Sequence, residues 1–543
     1  MSAEGLRRDT KWWGWGESGR QPKLGDATLS LLRNELGELE PAGRPAAATE
    51  VRLPAPQPLP AAIAEAVGPE NVLDDVETRV RHAAGKGYVD LVKVRSGQLD
   101  DAPDAVVAPA GAEQLRGVLE ACAREGVAVV PFGGGTSVVG GVEPLRGPHA
   151  RLISLDLERL QTVELDRTSM TARLGAGLRG PEAEAKLGAL GVTLGHFPQS
   201  FEYATIGGFA ATRSAGQASC GYGRFDEMVT QVRMVSPAGD LMTLETPHTA
   251  AGPSLRELVL GSEGVLGVIP EVRVRVRPAP EAERYEAWMA ESWEAGAEIA
   301  RALAQDGVLP DVMRLSDEEE TRISLALSGP GGLGAKLFDR YLGLRGRRRG
   351  CLMIVGIEGE GEAVSRHRSL AARKLRAGGA AYLGQAAGGS WKRGRYEGPY
   401  LRDTLLDAGA LIETLETSHT WSRLHELHDA VGSAIHDALR GQGTPGIVFC
   451  HLSHAYADGA SLYFTFLARR RAGEEIEQWR LAKTAACEAI VAHGGTITHH
   501  HAVGRDHAPY MRAEVGELGL EALRGAKERL DPAGILNPGK LLG

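Results

Sequence analysis

Three consecutive histidines, His499, His500 and His501, lie inside the stretch THHHAVGRDHAPYM, residues 498–511. Imidazole titrates near neutrality, so such a run could move protons, donate hydrogen bonds to an oxyanion or ligate a metal. Successive side chains of an extended chain point to opposite faces, so His499 and His501 are expected on one side and His500 on the other. A metal needs ligands converging on one point. No carboxylate motif accompanies the run, and no metal is expected. His507 follows closely and reads as a surface or helix-start residue. A second candidate is Tyr463, in GASLYFTF (459–466). Strand alternation puts it on the face opposite Phe464 and Phe466, so one side packs and the other can line a pocket.

A third feature is PFGGGTSVVGG, residues 131–141. Three successive glycines allow backbone shapes that other residues resist, and their N–H groups can close around phosphate oxygens. The loop lacks the GxGxxG spacing of a Rossmann turn, and no P-loop lysine follows. By itself it reads equally as a glycine-rich turn. The chain has 71 glycines among 543 residues, well above the usual ~7%.

The elements that must position these residues are partly legible. AVVAP (105–109) reads as a short buried strand. Leu115, Val118, Leu119 and Cys122 then mark one helical face, Gly126 suits the helix end, and VAVVPF (127–132) is a second strand. This βαβ unit predicts parallel strands. Ile153, Leu155 and Leu157 alternate with polar residues. Val272, Val274 and Val276 alternate with Arg273, Arg275 and Arg277, which read as a solvated face. Residues 41–60 are rich in Pro and Ala and read as an extended linker or wrapping arm. Before them, KWWGWG carries Trp12, Trp13 and Trp15. These read as anchors on the main body or, alternatively, as a membrane-surface contact.

At 543 residues, two or more domains are expected. A formal net charge of -9 argues against nucleic-acid binding. Five cysteines without a CxxC pair fit a reducing, cytoplasmic setting. No apolar run is long enough for a membrane span, and no signal core opens the chain.

Three further segments join the glycine loop: QSFEYATIGGFAATRSAGQASCGYGRFDEMV (199–229), GSEGVLGVI (261–269) and LDPAGILNPGKLLG (530–543). Together the four resemble the FAD-binding family that includes vanillyl-alcohol oxidase and p-cresol methylhydroxylase. The resemblance implies an α+β fold: a two-subdomain FAD-binding domain, an α+β cap domain and an N-terminal arm. We place the arm at 1–98, the FAD domain at 99–280, the cap at 281–490 and a returning C-terminal segment at 491–543. It implies FAD contacts from Pro131, Phe132, Gly133, Gly134, Gly135, Thr136 and Ser137. Gln199, Ser200, Thr205, Thr212, Arg213 and Ser214 are implied as further contacts, with Gly261, Ser262, Glu263, Gly264, Val265, Leu266 and Gly267. Some members tether FAD through a histidine near the loop. None lies within 131–141, so non-covalent FAD is expected.

Within that family, the hydroxyacid dehydrogenases carry GDGNLH and EHGIG segments. This chain has HLSHAYADGASLYFTF and THHHAVG instead. RRDTKWWGWGES (7–18), TRSAG (212–216), MRLSD (313–317), YLRD (400–403), GASLYFTF and THHHAVG resemble the alkyldihydroxyacetonephosphate synthases, over nearly the whole chain. That resemblance implies exchange of the acyl group of an acyl-dihydroxyacetone phosphate for a long-chain fatty alcohol, with no net redox change. It implies Arg314 and Arg402 as anion-binding residues, Tyr463 as the catalytic tyrosine and His499, His500 and His501 as hydrogen-bonding catalytic residues. A homodimer of bacterial type is expected, cytoplasmic or peripheral to a membrane. An FAD-linked oxidase or dehydrogenase of a 2-hydroxyacid or alcohol is the alternative. Ala502 stands where the family carries glycine, and SCGYGRFDE (219–227) replaces a more basic stretch.

Overall fold

The computed structural model describes residues 9–47, 50–328, 340–343 and 345–543. Arg7 and Arg8 of the Trp-rich motif lie outside the described residues.

The βαβ unit forms as expected. Helix Ala112–Glu125 buries Leu115, Val118, Leu119 and Cys122, and Gly126 closes it in the left-handed conformation (φ 63°). Strands Ala105–Val107 and Val127–Phe132 are parallel but not adjacent, because Arg151–Asp156 pairs between them, parallel to both. Val72–Leu73 adds an antiparallel edge. On the other edge the C-terminal segment docks, with Val129 N–H donating to Ile535 O and Asn537 N–H to Val129 O, both at 2.8 Å. A second sheet is antiparallel, in the order Val163–Asp166, Thr171–Gly175, Val268–Arg275, Val229–Ser236, Gly239–Met242. Val272 and Val274 face its core. The arginine face is not bare: Arg273 pairs with Glu245, and Arg173 with Glu164 and Glu271.

The third sheet is seven-stranded and antiparallel throughout. Its order is Ala381–Gly384, Ala282–Ala290, Cys351–Gly359, Val312–Ser316, Gly446–Ala455, Gly459–Arg469, Ala410–Thr420. Helices Trp293–Gln305, Gly361–Ala377, Leu424–Gly441 and Glu475–Ala492 share one apolar core with it. Leu315, Met353, Leu411, Leu415, Leu462, Phe464 and Phe466 are among the sheet residues of that core. Alternation then turns Arg314, Glu416 and Tyr463 to the opposite face.

The Trp-rich segment is a clamp. Trp12 and Trp15 are buried, and Trp13 packs against the main core. Asp403, on helix Gly398–Asp407, accepts from Trp15 N–H at 2.6 Å and pairs with Lys11 at 3.2 Å, both side chains buried. Gly14 has no side chain because a Cβ there would overlap the Asp403 carboxylate. Trp15 meets Tyr203 edge-on, and Tyr203 bonds Tyr400 at 2.9 Å. The arm therefore joins the sheet-bearing cap to the loop region around residue 203. A membrane role for Trp12 and Trp15 is corrected by this burial.

His507 heads the short turn Ala508–Tyr510, but it is buried rather than exposed, with its Nδ1 3.0 Å from Ala502 O.

Two predictions follow from this packing. Asp403→Ala would leave Lys11 as an unpaired buried cation, and a loss of about 3–5 kcal/mol is expected. It should appear as a lower thermal midpoint and as protease cutting near residues 9–20; an unchanged midpoint would contradict the clamp. Secondly, burial pushes His196 down to about 3 and His507 down to about 4. Both are neutral when folded and take up protons on unfolding below about pH 6.5. Their stabilisation is complete above that pH and is lost as pH falls, at up to about 1.4 kcal/mol per pH unit each. The thermal midpoint should drop between about pH 6.5 and about pH 4.5, and less steeply in His507→Gln.

Candidate active site

The candidate cofactor cradle begins where strand Val127–Phe132 ends. A Cβ on Gly133 would strike Thr205 Oγ1, and one on Gly134 would strike Tyr203 O. Gly135 has φ 63° with Phe132 beneath it. Ser137 Oγ accepts from Gly141 N–H at 2.9 Å, which closes the turn that also contains Thr136. The second loop abuts the first, since a Cβ on Gly264 would lie 2.7 Å from Pro131 Cγ. Asn537 ties both loops, donating to Gly141 O at 3.2 Å and Glu263 O at 2.7 Å. Ser262 Oγ and Asn537 Oδ1 are buried with no protein partner. Backbone-lined glycines with unpartnered polar atoms beside them fit a phosphate-bearing cofactor such as FAD.

Other expected contacts hold the loops in place. Thr205 caps helix Ile206–Thr212 by accepting from Gly208 N–H. Thr212 Oγ1 donates to Gly208 O, and Ser214 bonds His196. Ser200 O accepts from Tyr203 and Ala204 N–H. The guanidinium of Arg213 binds Leu260 O and Glu257 O and pairs with Asp226 and Glu257. Gln199 is exposed and donates to Arg395 O. Val265 and Leu266 belong to apolar clusters, and a Cβ on Gly267 would lie 2.5 Å from Met234. His82, packed on Phe132, has both ring nitrogens engaged, with Thr78 O and Asp156.

The histidine run is not an extended strand. It wraps Glu416, whose side chain is fully inaccessible. The carboxylate accepts from the N–H groups of His499 (2.5 Å), His500 (3.0 Å) and His501 (2.8 Å), and from Thr498 Oγ1 (2.6 Å). The expected alternation fails because three successive N–H groups converge on one carboxylate. Burial opposes its charge, but the imidazoles of His500, His501 and His499 and the Thr498 hydroxyl outweigh it and hold Glu416 well below the usual range. Ala502 then adopts φ 74°, the left-handed region that favours glycine.

Sheet register completes the cluster. Glu416 and His451 both lie directly across from Tyr463 on its two neighbouring strands. The Tyr463 ring stacks on His451 at 4.9 Å and on His500 at 6.0 Å, and meets His501 edge-on at 5.3 Å. Arg314 lies 3.1 Å from His451 Nε2 and donates to Glu320 at 2.6 Å. Burial pushes Tyr463 up to about 12, so it is a protonated phenol. Burial pushes His501 down to about 3, and His451, also beside Arg314, down to about 4. His499 and His500 are also lowered by burial. The site thus offers neutral imidazoles, which accept protons, around a phenol that donates one.

His454, His499 and His500 each place a nitrogen within 4.8 Å of the others. His499 is already bonded at both nitrogens, to Tyr456 OH at 2.7 Å and His500 Nδ1 at 3.1 Å, and His454 Nδ1 to Ser219 at 2.6 Å.

Arg402 stands on helix Gly398–Asp407, with no direct bond to the Tyr463 cluster. Its Nη1 donates to Lys86 O at 2.6 Å, while Nε and Nη2 are buried without a hydrogen bond, Nη2 lying 3.9 Å from Asp403 Oδ1. Burial pushes neighbouring Lys86 down to about 8. Glu416, His451, Glu320 and Lys86 were missed in the sequence. The only signal was a glutamate at a core-compatible position of ALIETLETSHT, and its meaning depends on register.

Residues 103–245 match the FAD binding domain family, and residues 279–541 match the family of FAD linked oxidases, C-terminal domain. The alkyldihydroxyacetonephosphate synthase of Trypanosoma brucei brucei is 33% identical, over 98% of this chain and 92% of that one. A solved alkyldihydroxyacetonephosphate synthase superposes with a TM-score of 0.85 at 29% identity, covering 98% of each chain. A p-cresol methylhydroxylase structure has the same fold, with a TM-score of 0.68 at 16% identity over 89% of this chain and 96% of that one. Among the described residues no helix is long and apolar enough to cross a membrane. With its two FAD-family regions and its cradle of glycine loops, the chain belongs to the alkyldihydroxyacetonephosphate synthase family of FAD-dependent enzymes.

Proposed function

We propose that the protein exchanges the acyl group of a 1-acyl-dihydroxyacetone phosphate for a long-chain fatty alcohol, giving the 1-alkyl product and a fatty acid, a step of ether-lipid biosynthesis. The observation that carries this reading is the Tyr463 phenol enclosed by unprotonated His451, His500 and His501, with ionised Glu416 behind them. When bound, FAD supplies the reactive ring through which the two oxygen substituents are exchanged without net redox change.

The chain's own residues divide the remaining work. The Nε and Nη2 of Arg402, which make no hydrogen bond, suit a phosphate or carboxylate, which a guanidinium grips through two donors. A neutral imidazole of the cluster accepts the proton from the carbon beside the ketone. Tyr463, kept protonated by burial, donates to the oxygen on which charge develops. Arg314, fixed by Glu320, holds His451 in orientation. The same proposal includes non-covalent FAD, a homodimer, and a cytoplasmic protein meeting its lipid substrates at a membrane surface.

The decisive assay incubates purified holoprotein with palmitoyl-dihydroxyacetone phosphate and labelled hexadecanol. Alkyl product with oxidised flavin throughout is expected. Lasting anaerobic bleaching by a 2-hydroxyacid, without alkyl product, would establish the oxidase alternative instead. Tyr463→Phe should lower kcat by about 10²- to 10⁴-fold with FAD retained. Arg402→Ala should raise KM for the phosphate substrate by roughly 10- to 100-fold, the worth of lost bonds to a charged group. A variant with wild-type KM would remove Arg402 from the binding role.

A further inference from the structure

The catalytic cluster is buried, yet its reaction must move a proton. The hydrogen bonds of His499 lead away from Tyr463 toward the surface. On one side His499 Nδ1 is 3.1 Å from His500 Nδ1. On the other, His499 Nε2 is 2.7 Å from the Tyr456 hydroxyl. Tyr456 and His499 both reach an open cleft of about 650 Å³, whose wall also carries Arg224, Asp226, His419 and Glu514. None of the cradle residues Gly133–Ser137 or Gly261–Gly264 lines that cleft. The chain Tyr456–His499–His500 thus begins in solvent-accessible space and ends 6.0 Å, ring to ring, from Tyr463.

We propose that Tyr456 and His499 form a proton relay that connects the buried His500–Tyr463 cluster to this cleft. The proposal rests on the reading above, in which an imidazole takes up a substrate proton. The balance is complete without any charged intermediate left behind. A proton arrives at His500 Nε2, and the proton on His500 Nδ1 passes to His499 Nδ1. The proton on His499 Nε2 passes to the Tyr456 oxygen, and the original phenolic proton leaves to water in the cleft. Each hydrogen bond is reversed by the passage, and the return proton resets it. Both partners suit the task. Burial raises the Tyr456 phenol and lowers the His499 imidazole, so neither holds a charge at rest. The Arg224 guanidinium beside Tyr456 eases the moment at which the phenol oxygen carries excess negative charge. Backbone bonds from His499 and His500 to Glu416 keep the two rings in register. Tyr456 is accordingly a positioning and relay residue rather than one that touches substrate.

The test uses the FAD-loaded full chain and Tyr456→Phe, which removes one hydroxyl and keeps the ring. Alkyl-product kcat is expected to fall roughly 10- to 100-fold with KM, FAD content and thermal midpoint unchanged. Added imidazole should restore much of the rate by carrying the proton from the cleft. A kcat within about twofold of wild type, or a loss that no small buffer rescues, would overturn the relay. Histidine ¹⁵N resonances give a readout independent of turnover. Removing the hydroxyl should change the protonated nitrogen of His499 and shift His500 with it, whereas unshifted His500 signals would also overturn the proposal. Absence of alkyl product from wild-type protein would instead refute the assigned reaction, while the resonances still decide whether the two histidines are coupled to Tyr456.

Discussion

Everything at the site depends on one buried carboxylate. Glu416 receives four hydrogen bonds from the segment Thr498–His501. An ionised carboxylate away from water would cost several kcal/mol if unpartnered. Three of its four donors are backbone N–H groups, so satisfying it dictates the path of the chain more than the choice of side chain. His500 and His501 are turned onto Tyr463 as a consequence, and His499 onto Tyr456. Successive imidazole rings lie 4.7 to 5.4 Å from one another in edge-on pairs, an arrangement that no extended strand provides.

The same segment is fastened from the other side by Glu263. Its carboxylate accepts from Val503 N–H at 2.8 Å and Gly504 N–H at 2.7 Å. Burial raises that carboxyl to about 7 against those two bonds. Glu263 belongs to the loop that abuts the glycine cradle, and Asn537 ties that loop to the chain's end. The cofactor cradle, the histidine run and the C-terminal segment are therefore one hydrogen-bonded unit. Displacing any of them disturbs the geometry on which the proposed proton transfer depends.

Legibility followed the range of the interactions. The glycine loop was readable because its requirement is local: no side chain fits at Gly133 or Gly134, and Gly135 needs a positive φ. The face of Tyr463 was readable because strand alternation has a period of two. The partners of Arg213 were not readable, since its guanidinium is held by carbonyls nearly fifty residues away. The tryptophans were ambiguous, because an aromatic anchor and a membrane contact have the same composition. Only the Asp403 partnership with Trp15 and Lys11 separates them.

The sequence by itself determined the fold family, the glycine cradle and the types of group available for catalysis, since these follow from local backbone needs and short-range periodicity. Tertiary structure alone decided how those groups act. The register of three strands sets Glu416 and His451 on either side of Tyr463, and the Glu416 carboxylate gathers the backbone of His499, His500 and His501 so that His500 and His501 pack on that ring. Burial then assigns the protons, leaving the phenol protonated and the imidazoles neutral, because desolvation penalises whichever form is charged. No spacing along the chain encodes that outcome, which depends on atoms brought together from strands and loops distant in sequence.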